Sequence, residues 1–251
     1  MDYDKLLNLG TELGRSLMSC GAEIHRVEES VHRLLSAYGL EPQVFAIPKT
    51  LVVSVTTPEG HPITRMCRVP QCGTDIEGLE RYNDLCRRLC RETPPVEEAL
   101  ALAEELKIGG RRFSPWAQVG GYTATAAFFT LFFGGNWLDF FGAVLCGLAV
   151  ACCLLFGQKF IGTNIFFRTV VCSALITSLA WLMGRTLGVH TDLVAIGTLM
   201  LLVPGMAVTN AMREIMAGDV ISGLQRTAEV ILVGAAIALG AAVPALLERL
   251  L

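Results

Sequence analysis

The stretch Leu202 to Asp219, LVPGMAVTNAMREIMAGD, combines residue types that could bind a solute inside a membrane. Proline within a helix removes a backbone donor and clashes with the preceding turn, so Pro204 and Gly205 predict a kink or break that leaves carbonyls free. Thr209, Asn210, Arg213 and Glu214 follow within five to ten residues. A half-helix starting after such a break aims unpaired N–H groups at the gap, where a carboxylate is favoured. Thr209 and Asn210 can hydrogen-bond a ligand there, and Arg213 and Arg226 suit bidentate carboxylate recognition. Pro204, Gly205, Thr209, Asn210, Arg213 and Arg226 are therefore the candidate substrate-binding residues. Each also has a plainer reading: a packing kink for Pro204-Gly205, and cations that fix topology for Arg213 and Arg226.

Asp192 and Glu229 are the candidate proton-coupling groups, because carboxylates near span interiors are costly unless paired or wetted. A surface Arg226–Glu229 pair is the competing role for the latter. Further upstream, Glu23, Arg26, Glu28 and Glu29 place four charges in seven residues, which reads as a solvated face or as a contact surface. His25 and His32, seven apart, share a helical face without further ligands, and the pairs Cys67/Cys72 and Cys86/Cys90 lack zinc-ligand spacing. No metal and no cofactor are expected. A nucleophile elbow and a phosphate-binding glycine loop are missing from the sequence, so a hydrolase built on Glu28 or Glu29 is set aside.

Two kinds of element must position these groups. Apolar residues recur with helical spacing at Tyr3, Leu6, Leu9, Leu13 and Leu17, and again at Ile24, Val27, Val31, Leu34 and Tyr38, predicting a helical hairpin. The β-branched runs Val44–Ile47, Leu51–Thr56 and Ile63–Val69 predict three strands. Thr74-Asp75-Ile76-Glu77 has capping-box spacing and opens a third helix, and Thr93 with Pro94 is expected to start a fourth that Lys107 and Gly109 close. Residues 1–112 thus read as a small ααβββαα domain.

Residues 113–251 read as membrane. Residues 1–112 hold 14 of the 20 Lys+Arg and 17 of the 23 Asp+Glu, although the whole chain is 53% hydrophobic with mean hydropathy +0.53. Apolar segments at about 115–134, 137–156, 168–188, 192–212 and 224–247 each approach the length that spans ~30 Å of hydrocarbon at about 1.5 Å per residue. Lys107, Arg111 and Arg112 precede the first segment, Lys159 and Arg168 flank the second connection, and Arg213 and Arg226 flank the fourth. That alternation predicts a cytoplasmic N-terminal domain and an outside C-terminus. The opening MDYDKLLNLG reads as a retained helix rather than a signal peptide. Four of the nine cysteines, Cys146, Cys152, Cys153 and Cys172, lie in apolar runs as small hydrophobes. A net charge of −3 with no basic stripe excludes a nucleic-acid partner.

Three stretches in register, GAEIHRVEES (Gly21 to Ser30), PITRMCRV (Pro62 to Val69) and LVPGMAVTNAMREIMAGDVISGLQRTAE (Leu202 to Glu229), resemble the threonine/serine exporter family, in its larger N-terminal portion. The resemblance implies an α-helical membrane protein with five transmembrane helices after a cytosolic α+β domain. It also implies a bacterial inner-membrane exporter of small amino acids, driven by the ion gradient. Fused members carry a second set of spans, so a second small membrane subunit is the implied partner, with a homo-oligomer as another source of symmetry. Split members are associated with dicarboxylates, succinate in particular, so the solute stays open between the two classes. A membrane-anchored sensor or scaffold without transport is the alternative of another kind.

Overall fold

The computed structural model describes residues 2–70, 73–108, 113–156 and 164–250. Cys72, Gly109, Arg111, Arg112 and Lys159, used above as a thiol, a helix end and topological cations, lie outside the described residues. The chain divides into two compact units, Met1–Arg111 with Met206–Thr227, and Arg112–Gly205 with Ala228–Leu251. The first unit therefore takes in a stretch that the sequence reading shares among the fourth span, its loop and the start of the fifth.

In the first unit, α1 (Tyr3–Ser19) and α2 (Ile24–Ala37) form the hairpin that their periodicity predicts. They are followed by β1 (Pro42–Ile47), β2 (Thr50–Thr56) and β3 (Pro62–Arg68). The sheet is antiparallel in the order β1-β2-β3, with Phe45, Val52 and Met66 in register on its outer row. Leu51, Val53 and Val55 of β2 alternate inward and are buried with Leu6, Leu9, Leu13 and Leu17 of α1 and Val27, Val31 and Leu34 of α2. Each such side chain withdrawn from water contributes about 1.5–3 kcal/mol. Gly14 sets the approach of α1 to the sheet, because a Cβ there would lie 2.4 Å from a Leu51 methyl.

Helix α3 (Ile76–Glu92) is capped by Asp75, whose Oδ1 accepts from the Gly78 amide at 2.9 Å, one residue later than the Thr74 cap that the sequence suggests. Thr93 does not open the next helix. It closes α3 in the left-handed region at φ 39°, and α4 (Val96–Ile108) starts after Pro94-Pro95. The reason is local: a residue followed by proline is pushed out of the helical region, so the double proline displaces the start.

The second unit contains α5 (Pro115–Phe132), α6 (Trp137–Phe156), α7 (Ile165–Leu187) and α8 (Thr191–Leu199). Helix α9 (Gly205–Ala217) lies almost wholly in the first unit, and α10 (Val220–Ala241) starts there and continues into the second, which α11 (Val243–Leu250) completes. Among the described residues three helices are long and apolar enough to cross a membrane: Trp137–Leu155, Ile165–Leu187 and Val220–Leu246. The first predicted segment yields an 18-residue helix whose apolar character is diluted by Gln118, Tyr122 and three threonines. The fourth is split into helices of 9 and 13 residues.

Packing inside the second unit is of the membrane kind, where small residues let backbones approach and hydroxyls bond across helices. A Cβ at Gly147 would sit 2.9 Å from Thr123 Cα, and one at Gly197 would sit 2.6 Å from the Thr130 amide. Ser173 Oγ donates to the Ile237 carbonyl at 2.7 Å. Phe128, Phe132, Trp137, Phe141 and Leu232 are exposed, so this unit carries its apolar surface on the outside, as lipid requires.

The turn into α2 depends on Gly21, which has φ +92° and would bring a Cβ within 2.5 Å of the Gly73 carbonyl oxygen. Gly21→Ala is therefore expected to lower stability by about 1–3 kcal/mol, from the left-handed backbone and the clash together. Denaturant unfolding of the full chain in detergent micelles measures it; an unchanged midpoint would show that the turn relaxes without loss.

Candidate functional site

The stretches Gly21–Ser30 and Met206–Thr227 meet in the first unit. Residue Glu23 precedes α2, and its side chain is only 8% exposed. A carboxylate so enclosed needs a cation, and Arg213 of α9 supplies one by an ion pair to Glu23 Oε1. His25 Nε2 approaches the other Glu23 oxygen at 3.5 Å. One helical turn on, Glu28 Oε1 accepts from the Ala46 amide at 2.7 Å, tying α2 to the edge strand β1. Burial raises the Glu28 carboxyl above its ordinary value, the Ala46 hydrogen bond opposes this, and Asp219 adds to it. Glu29 pairs with Arg33 at the surface. The solvated-face reading therefore describes Glu29 and not Glu23.

Glu214 follows Arg213 on α9. It is fully buried beside Arg226 of α10, whose Nε lies 3.0 Å from Glu214 Oε1. The approach is close but the N–H is not aimed at the oxygen, so charge rather than an aligned hydrogen bond holds the pair. The Ile24 amide, at the positive end of α2, also acts on this carboxylate. Arg226 Nη2 donates to the Ala22 carbonyl at 3.3 Å, so α10 grips the chain just before α2. Burial pushes the Glu214 carboxyl above the usual glutamate range; Arg226 and the Ile24 amide pull it back, and Asp219 and Glu23 push further.

The α9–α10 hairpin is held by Gly218, which turns the chain at φ +97°, and by Gly223, whose missing Cβ leaves room for Ile215. Beside it lies a cavity of about 130 Å³ lined by Glu23, Arg26, Ser30, Asn83, Asn210 and Arg213 among others. It presents cations, a carboxylate and neutral hydrogen-bonding groups to one small volume. Among the described residues, no group of three or more His, Cys, Asp or Glu is disposed to hold a metal ion.

Of the predicted substrate residues, Asn210 and Arg213 line the cavity, and Arg226 pairs with Glu214 and Ala22 instead. Thr209 is exposed and donates to the Met206 carbonyl at 3.0 Å. Pro204 and Gly205 belong to the second unit, where the chain leaves the helix after α8 and the Gly205 amide bonds the Val203 carbonyl at 2.9 Å. Asp192 is exposed in the first turn of α8, and Glu229 is exposed on α10.

Two buried acids lie outside the expected site residues: Glu214, which the sequence shows only as a neighbour of Arg213, and Asp139. Glu214 follows Ala211 by three residues on the small-residue face of α9, a spacing that signals burial. Asp139 is fully buried at the start of α6, accepting from the Asn136 amide at 2.8 Å and from the His190 amide at 2.7 Å. Asn136 caps the same helix in return, so Asn136-x-x-Asp139 is a capping pair that the sequence displays.

A small α+β unit joined to helices with apolar exteriors and hydroxyl-bonded contacts defines a membrane protein. The family model described as "Putative threonine/serine exporter" matches residues 8–247, and the chain belongs to that family. Similar proteins include Pheromone-regulated membrane protein 10 of Saccharomyces cerevisiae (strain YJM789), 24% identical over 84% of this chain and 28% of the relative. The protein of the same name from Debaryomyces hansenii is 25% identical over 84% of this chain and 21% of its own length, and that from Kluyveromyces lactis is 25% identical over 92% and 25%. The chain thus spans about a quarter of the length of these curated relatives. No solved structure matches it.

The Glu214–Arg226 pair yields a stability prediction. The folded carboxyl takes up its proton at higher pH than the unfolded one, so this group favours the fold most when protonated and that advantage fades as pH rises through the raised value. Arg226→Met is expected to cost about 3 kcal/mol above neutral pH, where a buried carboxylate loses its cation, and less in acid. The double variant Glu214→Gln/Arg226→Met should recover most of it. Denaturation of the full chain in micelles across pH, read as a double-mutant cycle, checks this; additive losses would deny the coupling.

Proposed function

We propose that this chain is a subunit of a secondary-active exporter of small metabolites in a bacterial inner membrane, acting on amino acids of the threonine/serine type. In this reading five segments cross the bilayer, the N-terminal domain of residues 1–112 is cytoplasmic, and a second small membrane protein completes the transport path. The break between α8 and α9 is the point where a span opens to solute.

The observation that carries the reading is the cavity lined by Glu23, Arg26, Asn210 and Arg213, with Glu23 paired to Arg213. A small α-amino acid has an ammonium and a carboxylate about one carbon apart, and a site with both charges on nearby side chains matches that pair. At about 130 Å³ the cavity suits a solute of serine or threonine size rather than a peptide. Asn210 would orient the solute, and Arg213 would exchange Glu23 for the solute carboxylate. Arg226 supports the site through Ala22 and Glu214. Glu229 and Asp192 are the proposed proton-coupling carboxylates of the spans. The excess of Arg over Glu around the cavity favours succinate as the competing solute.

Counterflow of labelled serine, threonine and succinate into vesicles bearing this chain and its companion subunit tests the reading. Serine or threonine flux is expected to exceed that of succinate, and Asn210→Ala to lower it about tenfold at unchanged membrane abundance, the effect of one lost hydrogen bond of roughly 1.4 kcal/mol. Preferred succinate flux would transfer the site to dicarboxylates. No flux of any solute with both chains inserted would favour a sensor or scaffold.

A further inference from the structure

Glu214 is fully buried, and it is the one carboxylate among the described residues with both oxygens enclosed and no aligned hydrogen bond. Folded proteins leave few buried polar atoms unmatched, and one that is left unmatched calls for a reason. Its neighbours supply charge on every side. From α9 itself comes Arg213, already engaged by Glu23; from the turn after α9, Asp219; from α10, Arg226. From the start of α2 come Glu23 and the Ile24 amide, with His25 against Glu23 and Glu28 facing Asp219.

Four acids thus share one small region with the three arginines Arg26, Arg213 and Arg226 and with His25. In such a cluster the acid with the least water and the poorest hydrogen bonding is the one that gains most from a proton. We propose that Glu214 is a proton-binding site whose occupancy sets the grip of α10 on the start of α2. Ionised, the carboxylate faces Arg226 and the positive end of α2, and Arg226 is held where it also reaches the Ala22 carbonyl. When a solvent proton adds to a carboxylate oxygen, that oxygen loses its charge, Arg226 loses its ionic partner, and the Ala22 contact alone remains. The loosened segment is Ala22–Glu23, which lines the cavity described above, so the proton acts on that cavity from behind. The inference stands on the packing of the first unit and holds whichever solute, or none, is carried.

The test uses the full chain in lipid nanodiscs. Infrared difference spectra over a pH titration read carboxyl protonation, and amide exchange, corrected for its intrinsic pH dependence, reads the α2 start at Ile24–Val27. The wild-type chain is expected to show an acid band whose midpoint lies above the ordinary glutamate value, with faster exchange at Ile24–Val27 on the protonated side. Glu214→Gln should lose the band and exchange fast at every pH, while Glu28→Gln keeps the band. Should Glu214→Gln fail to fold, Asp219→Asn serves with Glu214 intact: removing that neighbouring charge should move the midpoint to lower pH. A band that persists in Glu214→Gln overturns the proposal, as does a midpoint that Asp219→Asn leaves in place or exchange at α2 that ignores the titration.

Discussion

A carboxylate taken out of water must find a cation, and in this chain that requirement joins segments far apart in sequence. Glu23 and Glu214 are enclosed, and Arg213 and Arg226 answer them in a crossed arrangement: α9 gives an arginine to the α2 cap, and α10 gives one to the α9 acid. Apolar contacts would tolerate some sliding of the α9–α10 hairpin along α2. Paired charges do not, because a displacement of a few ångströms leaves an unmatched ion in a dry place. The remaining geometry of the first unit is consistent with that pin. Gly21 turns the chain into α2, Gly218 reverses it between α9 and α10, and Gly223 lets the hairpin close.

The two units solve opposite solvent problems with one alphabet of residues. In the first, leucines and valines point inward from α1, α2 and β2 and the charges lie outside or in the pinned cluster. In the second, glycine, serine, threonine and cysteine sit at helix contacts while phenylalanine and leucine face out. Helix α10 passes from one regime to the other: Ser222 and Gly223 are buried near its start, whereas Ile231, Leu232 and Leu239 are exposed further on.

Periodicity made most of the first unit legible. Leu6, Leu9, Leu13 and Leu17 announce α1, and the β-branched runs announce all three strands to within about two residues. Boundaries failed where two local rules compete, as at Thr93, a good cap that the double proline turns into a terminator. The break at Pro204-Gly205 is legible from proline chemistry, and the helices α8 and α9 are separate there; the apolar length of a segment does not register the threonines that dilute α5. The candidate cluster was half visible. Asn210, Arg213 and Arg226 stand out for their chemistry, but Glu23, the partner of Arg213, lies 190 positions away, a contact that local spacing does not encode; Glu214 lies near Arg226 in sequence, and only burial distinguishes it from a loop acid.

That separation has a consequence for how the molecule is made. Glu23 and Arg213 lie 190 positions apart, and the first unit is finished only by Met206–Thr227. During synthesis the early domain is therefore complete in strands and helices but lacks its last piece, with Glu23 and the start of α2 still wet. Translating those 190 positions takes about ten to forty seconds at ~5–20 residues per second. Closure of so long a loop adds only a slowly growing entropic cost, so delay rather than energy is the hazard. A chaperone has its opening in that interval, and the emergence of Arg226 from the ribosome marks its end.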